Sequence, residues 1–222
     1  MATATEQPQR RVPRPRADAV RNRERIVAAA RELLVEYGTD LPLDEVARRA
    51  GVGNATLYRN FKDRGELMHH VVLSVTDHVT EHAEQALAAE EAGEKTAFDA
   101  LRAFVHAAAD ERIGALCPML NATFDKDHPD VVAALDRLTA GLEELIARAR
   151  TAGQLRTDVG VGDLMVALSQ LTRPLPGTAC AGLDRYDTFF HRHLQLFLDG
   201  LMAPARSELP GEAATLEDLR QE

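Results

Sequence analysis

Tryptophan is absent from this chain, cysteine occurs twice, and aromatic residues make up only 5% of its 222 positions. Cys117 and Cys180 stand alone, without the paired spacing of a zinc ligand set, so they are expected to be reduced packing residues. Alternating runs of Val, Ile, Thr and aromatics, the pattern of half-buried strands, are also missing, which leaves an all-α protein as the expected fold class. No apolar run approaches the length of a membrane span, and no charged-then-apolar leader opens the chain. A cytoplasmic location with no membrane partner is therefore expected. Neither a Ser-His-Asp order, a phosphate loop, a metal triad nor a glycine-rich dinucleotide motif stands out. No enzyme activity, cofactor or metal is expected.

What the chain does have is an uneven division of charge. Residues 1–64 hold 13 Lys/Arg against 9 Asp/Glu, a balance of +4, while the remainder holds 13 against 26, a balance of −13. An acidic body with a basic N-terminal module suits docking on a polyanion through one end. Residues 1–16 carry Pro8, Pro13, Pro15 and the arginines 10, 11, 14 and 16 with almost nothing apolar, and read as a disordered basic arm. Such an arm could lie along phosphates or serve only as a solubilising tail.

The stretch from Leu43 to Phe61 organises the N-terminal module. Leu43, Val46, Ala47 and Ala50 recur at the steps of an amphipathic helix, and Gly51-Val52-Gly53 supplies a turn in which glycine can take a positive φ. A second helix over 54–61 has Leu57 and Phe61 on one side and Thr56, Tyr58, Arg59 and Asn60 available elsewhere. Two short helices joined by such a turn form a helix-turn-helix, and the outward hydroxyl, phenol, guanidinium and amide can all donate to phosphates or base edges. A preceding helix over 18–37, with Ile26, Ala30, Leu33 and Tyr37 as its stripe and Gly38 as its stop, completes a three-helix domain. Its expected core is Ile26, Ala30, Leu33, Val46, Ala47, Leu57 and Phe61.

The string AGVGNATLYRNFKDRGEL, preceded by LDEVARR and a helix ending EYG, resembles the DNA-binding domain of the TetR family of bacterial transcriptional regulators. The resemblance covers roughly residues 20–70. It implies that the second helix of the pair enters the major groove and presents Asn54, Ala55, Thr56, Tyr58, Arg59 and Asn60, with Lys62 and Arg64 meeting phosphates. Two positions depart from the family's pattern. Pro42 stands just before the first helix of the pair, where many members carry a hydroxyl, and Gly53 stands where Ser is frequent.

Asp63-Arg64-Gly65-Glu66 resembles a capping box and opens a long helix with Leu67, Val71, Val75 and Val79, running into the Ala-rich 83–92. His78 and His82 share a face of that helix near Asp77 and Glu81. Val79 occupies the glutamate position of an HExxH motif, however, and solvent-exposed histidines are expected rather than a metal site. From Gly93 onward apolar-striped helices follow at about 95–110, 112–125 (containing Pro118), 129–152, 161–173 and 184–202, about nine in all. The expected domains are the arm at 1–16, the helix-turn-helix domain at 17–64, an effector-binding and dimerisation domain at 65–203, and a flexible acidic tail at 204–222.

The resemblance further implies a homodimer built on the helices at 161–173 and 184–202, with Leu198 expected in the interface, and a double-stranded palindromic operator as partner. It places a small-molecule effector among the helices between 95 and 173. Candidate walls are Phe98, Leu101, Phe104, Leu116, Met119, Leu120, Asn121, Phe124, Leu138, Leu142, Met165 and Leu168, with His106, Thr139, Gln170 and Arg173 as further polar groups. The apolar majority implies a largely hydrophobic ligand. The expected function is a ligand-responsive repressor, an activator using the same parts with opposite coupling. A helical protein-binding adaptor is the rival from another class.

Overall fold

The computed structural model describes residues 15–37, 41–111, 125–172 and 184–220. Helix α1 (Pro15–Tyr37) opens three residues earlier than expected, on a proline, which the first turn tolerates because its N–H would lack an intrahelical partner anyway. Ile26, Ala29, Ala30, Leu33 and Leu34 are buried along one side, whereas Tyr37, expected to end the stripe, is exposed. Helices α2 (Leu43–Ala50) and α3 (Asn54–Asn60) form the helix-turn-helix pair, and α4 (Arg64–Glu91) leaves it as a single rod. The body adds α5 (Ala97–Asp110), α6 (Pro129–Thr151), α7 (Val161–Leu171) and α8 (Asp184–Leu201), followed by the short α9 (Leu216–Arg220). These are nine helices among the described residues, joined by one isolated bridge between Leu155 and Met202 and by no strand. The helix expected over 112–125, with Pro118, lies outside them.

The ends of these helices follow from local chemistry. Asp63 accepts from the Glu66 amide at 2.9 Å and Thr96 from the Asp99 amide at 3.1 Å, each meeting an orphan donor of a first turn. His128 caps α6, accepting from the Asp130 amide at 3.3 Å, with Pro129 next. Helix α4 buries Leu67, Met68, Val71, Val72, Val75 and Val79 in succession. Together with α1, α5, α6, α7 and α8 it builds one continuous apolar core that runs from Ile26 in the head to Leu201 in the body. No helix among the described residues is long and apolar enough to cross a membrane.

Two expectations change here. The acidic segment after 203 does not hang free between 205 and 220. The Ala214 carbonyl accepts from the Gly162 amide at 3.0 Å, the Ala214 amide donates to Asp163 Oδ1 at 3.3 Å, and Arg156 Nη2 donates to the Ser207 carbonyl at 2.8 Å. A Cβ on Gly162 would meet the Ala214 carbonyl at 2.4 Å, so the segment lies where only glycine lets it lie. The second change concerns Leu198, which is fully buried within its own chain. Its side of α8, with Phe190, Leu194 and Leu201, packs into the core, while Phe189 and Leu196 stay exposed.

Candidate nucleic-acid interface

The turn between α2 and α3 is set by Gly51, whose φ of 65° lies in the left-handed region. Its amide and that of Val52 close on the carbonyls of Arg48 and Ala47 at 3.1 and 3.0 Å, satisfying the last turn of α2. A Cβ there would also meet Arg25 Nη2 at 2.6 Å. At the other end of α2, Pro42 is the N-cap itself and gives no side-chain bond; its carbonyl accepts from Glu45 and Val46 at 3.1 Å each. Leu41 before it and Val46 after it are both fully buried, which fixes the entry of the chain as a hydrophobic staple does. Gly53 caps α3 without a side-chain bond, and a Cβ there would meet nothing.

Helix α3 has seven residues, too few to persist alone, so its position is set by what it packs on. Leu57 is buried and Phe61 seals the end, while Asn54, Ala55, Tyr58 and Arg59 are exposed and Thr56 and Asn60 half-buried. Several of these polar groups are already ordered. Asn54 Nδ2 donates to Asp44 Oδ1 at 2.7 Å, tying α3 to α2. Arg59 folds along its own helix, donating to the Ala55 carbonyl at 3.0 Å and to Thr56 Oγ1 at 3.1 Å. The Asn60 amide donates to the Thr56 carbonyl at 2.7 Å. Tyr58 is 53% exposed and stands clear as a rigid donor. Lys62 and Arg64 are exposed just beyond, the former 4.0 Å from Asp63.

A junction that periodicity gave no sign of holds this helix against the body. Arg23 Nη1 donates to the Asn60 carbonyl at 2.6 Å, its guanidinium lies 4.4 Å from the centre of the Phe61 ring, and Nη2 reaches Glu66 Oε1 at 3.3 Å and His70 Nε2. The Lys62 amide donates to Glu66 Oε2 at 2.7 Å. That bond chiefly holds the Glu66 carboxyl below its ordinary value, with Arg23 adding to it. Burial, reinforced by Arg23, pushes the His70 imidazole down. A second link joins α1 to the end of α5: Arg31 reaches Glu111 at 2.9 Å and His78 Nδ1 at 3.0 Å, and His82 Nε2 meets Glu111 Oε1 at 3.3 Å. The two histidines expected to face solvent are thus half-buried in an ionic cluster.

In the body, Phe98, Leu101, Phe104, Leu142 and Leu168 are core residues, and Leu138 and Met165 pack on them partly buried. Leu116, Met119, Leu120, Asn121, Phe124 and Arg173 lie outside the described residues. His106 borders an open hollow with Lys95, Thr96, Asp99 and Arg102, and meets His191 Nδ1 at 2.8 Å. Thr139 borders another hollow, between α6 and the segment 213–217, and Gln170 is exposed.

A helical chain whose N-terminal three helices form a helix-turn-helix head matches known proteins in both its parts. Residues 26–71 match the profile of bacterial regulatory proteins of the tetR family. Residues 92–203, half of the chain, match that of the C-terminal domain of SbtR-like transcriptional regulators. The chain belongs to the TetR family. It is a DNA-binding transcriptional regulator, not an enzyme. An HTH-type transcriptional regulator of Staphylococcus aureus (strain USA300) is 37% identical over 71 residues, which are 32% of this chain and 38% of that relative's length. Among solved structures, a TetR regulator of Streptomyces coelicolor superposes with a TM-score of 0.57 at 28% identity, covering 82% of this chain and 99% of that one. The TetR-like regulator LfrR of Mycobacterium smegmatis, crystallised with proflavine, gives a TM-score of 0.60 over 86% and 99%, and at 21% identity it shares the fold alone.

Proposed function

We propose that this TetR-family regulator is a homodimeric, ligand-responsive repressor that acts in the cytoplasm, binds a palindromic operator without its effector and releases it when the effector binds. The observation that carries this reading is the set Asn54, Thr56, Tyr58 and Arg59 on a helix packed against α1 and α2, whose C-cap Phe61 meets His70 of α4. Of these, Tyr58 and Thr56 suit phosphates, which position without specifying, and Arg59 can reach two acceptors on guanine once it leaves Ala55 and Thr56. Asn60, Lys62 and Arg64 would add phosphate contacts at the end of the helix.

Two recognition helices must stand ~34 Å apart to read successive turns from one side, hence a dimer. Exposed Phe189 and Leu196 on α8 and Val166 on α7 supply an apolar surface for it. The proflavine bound by LfrR supports an organic effector for this chain too. For a hundredfold change in operator affinity, the effector must favour one arrangement of the heads by ~2.7 kcal/mol.

The test is to select duplexes from genomic DNA and titrate them by fluorescence anisotropy. Affinity should fall steeply with salt, and Arg59→Ala should cost ~1–3 kcal/mol on the selected duplex and less on a random one. Equal losses on both would make Arg59 a phosphate contact. No salt-dependent binding to any duplex would overturn the reading in favour of a protein-binding adaptor. Expression of the target that falls when the gene is deleted would make it an activator.

A further inference from the structure

The second turn of α4 brings His69 against the start of α6, where His128 caps the helix and Asp130 stands in its first turn. The His69 and His128 rings are 4.4 Å apart, centre to centre, inclined at 66°. One ligand atom from each of His69, His128 and Asp130 lies within 4.8 Å of the other two, and His128 Nδ1 stands 3.9 Å from Asp130 Oδ2. Ligand atoms around a tetrahedral zinc, bound at about 2.0–2.1 Å, are roughly 3.3 Å apart. To share one ion the three ligand atoms must close by up to about 1.5 Å, a distance within the reach of side-chain rotation. We propose that His69, His128 and Asp130 form a binding site for a late first-row divalent ion, zinc above all, with water as the fourth ligand.

The donor set selects the ion. Two imidazole nitrogens and one carboxylate suit zinc, cobalt or nickel and lack the oxygens that calcium or magnesium demand. His69 and His128 are half-buried and Asp130 is exposed, so an ion can enter from solvent and water can remain bound. Two features oppose binding, and the site must overcome both. The long 3.3 Å bond that His128 Nδ1 accepts from the Asp130 amide competes for one lone pair, and the positive end of α6 repels a cation. The Asp130 carboxylate offsets the second.

Occupancy would be felt by the DNA head. His69 sits 5.4 Å from His70, ring to ring, and His70 in turn packs at 5.7 Å on Phe61, the residue that seals α3. An ion that draws His69 toward α6 ties the root of α4 to the body one residue from His70, a partner of Arg23. Metal and DNA are then linked reciprocally: whatever factor the ion applies to operator affinity, the operator applies to affinity for the ion.

The experiment titrates the full-length chain, freed of metal, with Co(II) and then displaces it with Zn(II). One equivalent per chain is expected, with the visible absorption of four-coordinate cobalt and no thiolate-to-cobalt charge-transfer band. His69→Gln and His128→Asn should each weaken binding at least tenfold, and Asp130→Asn should weaken it measurably. His128→Asn retains an N-cap, which keeps α6 started, and the unfolding curve of each metal-free variant verifies its fold. His78→Gln, which breaks the other histidine pair, should leave the affinity unchanged. Absence of binding at micromolar cobalt, undiminished binding in His69→Gln and His128→Asn, loss in His78→Gln instead, or a thiolate band from Cys117 or Cys180 would each overturn the assignment.

Discussion

Replacing Arg23 by Met tests whether the recognition helix is held in place from the far side of the head. The methionine keeps an apolar stem over Phe61 but loses every donor. From the structure, the bond to the Asn60 carbonyl at 2.6 Å is the largest contribution, since a charged donor to a helix-end carbonyl is worth ~1.5–3 kcal/mol, and partial exposure puts it near the lower figure. The guanidinium over the Phe61 ring at 4.4 Å adds ~0.5 kcal/mol. The ion pair with Glu66 at 3.3 Å, both partners more than a third exposed, adds little. The sum is ~2 kcal/mol, or about a thirtyfold change in a local opening equilibrium. Hydrogen exchange followed residue by residue should show the amides of Leu57 to Phe61 exchanging about thirty times faster, with those of α5 and α6 unchanged. Arg23→Lys, which cannot serve both acceptors in one plane, should recover less than half of the loss. Wild-type exchange rates in α3 of the Met variant would refute the reasoning and leave Leu57 and Phe61 as sufficient anchors.

Four further substitutions have outcomes set by the structure. Gly53→Ser, at φ −76° with open space for its side chain, should stabilise the head by ~0.5–1 kcal/mol in urea unfolding, by capping α3 and stiffening the unfolded chain. Leu196→Glu should give monomers in sedimentation with an unfolding midpoint that no longer depends on protein concentration, whereas Leu198→Ala, fully buried, should cost ~2–5 kcal/mol of stability; a dimer unaffected by the first change places the interface elsewhere. Glu66 has its folded pKa depressed below 4.5, so its contribution is complete above that value and is lost as pH falls through the folded pKa. Glu66→Gln should therefore flatten the decline of stability below about pH 4.5, and an unchanged acid limb would show that Glu66 is not a source of it.

The head was legible in the chain because its determinants are local. The stripe of Val46, Ala47 and Ala50, the left-handed Gly51 and the Asp63 cap each act within four residues, and each stands where the spacing puts it. Arg23 escaped notice because its partners lie 37 to 47 positions away, and nothing in a helix pattern ranks one arginine above its neighbours. On α8 the apolar residues are too many for one face. Periodicity finds the helix but does not decide that Phe190, Leu194 and Leu198 turn inward while Phe189 and Leu196 turn out. The segment after 203 misled by composition: it is held through backbone carbonyls of Ser207 and Ala214, groups that every residue carries, meeting a glycine and an arginine that are themselves far away in sequence. The approach of His69 to His128 left no mark in the sequence for the same reason, since proximity across helices leaves no trace in spacing.

At its far end α4 is bolted to α6. Arg148 donates to Glu90 at 2.7 Å and to Glu91 at 2.8 Å, while Glu144 on its own helix steadies it at 2.6 Å. A rod of 28 residues is ~42 Å long at ~1.5 Å per residue. With that end as fulcrum, a tilt of about 5° displaces the root of the rod by about 3.7 Å over its ~42 Å length. That is about the rise of one base pair, ~3.4 Å along a duplex, so under the proposed function a tilt of this size is enough to put α3 out of step with its half-site.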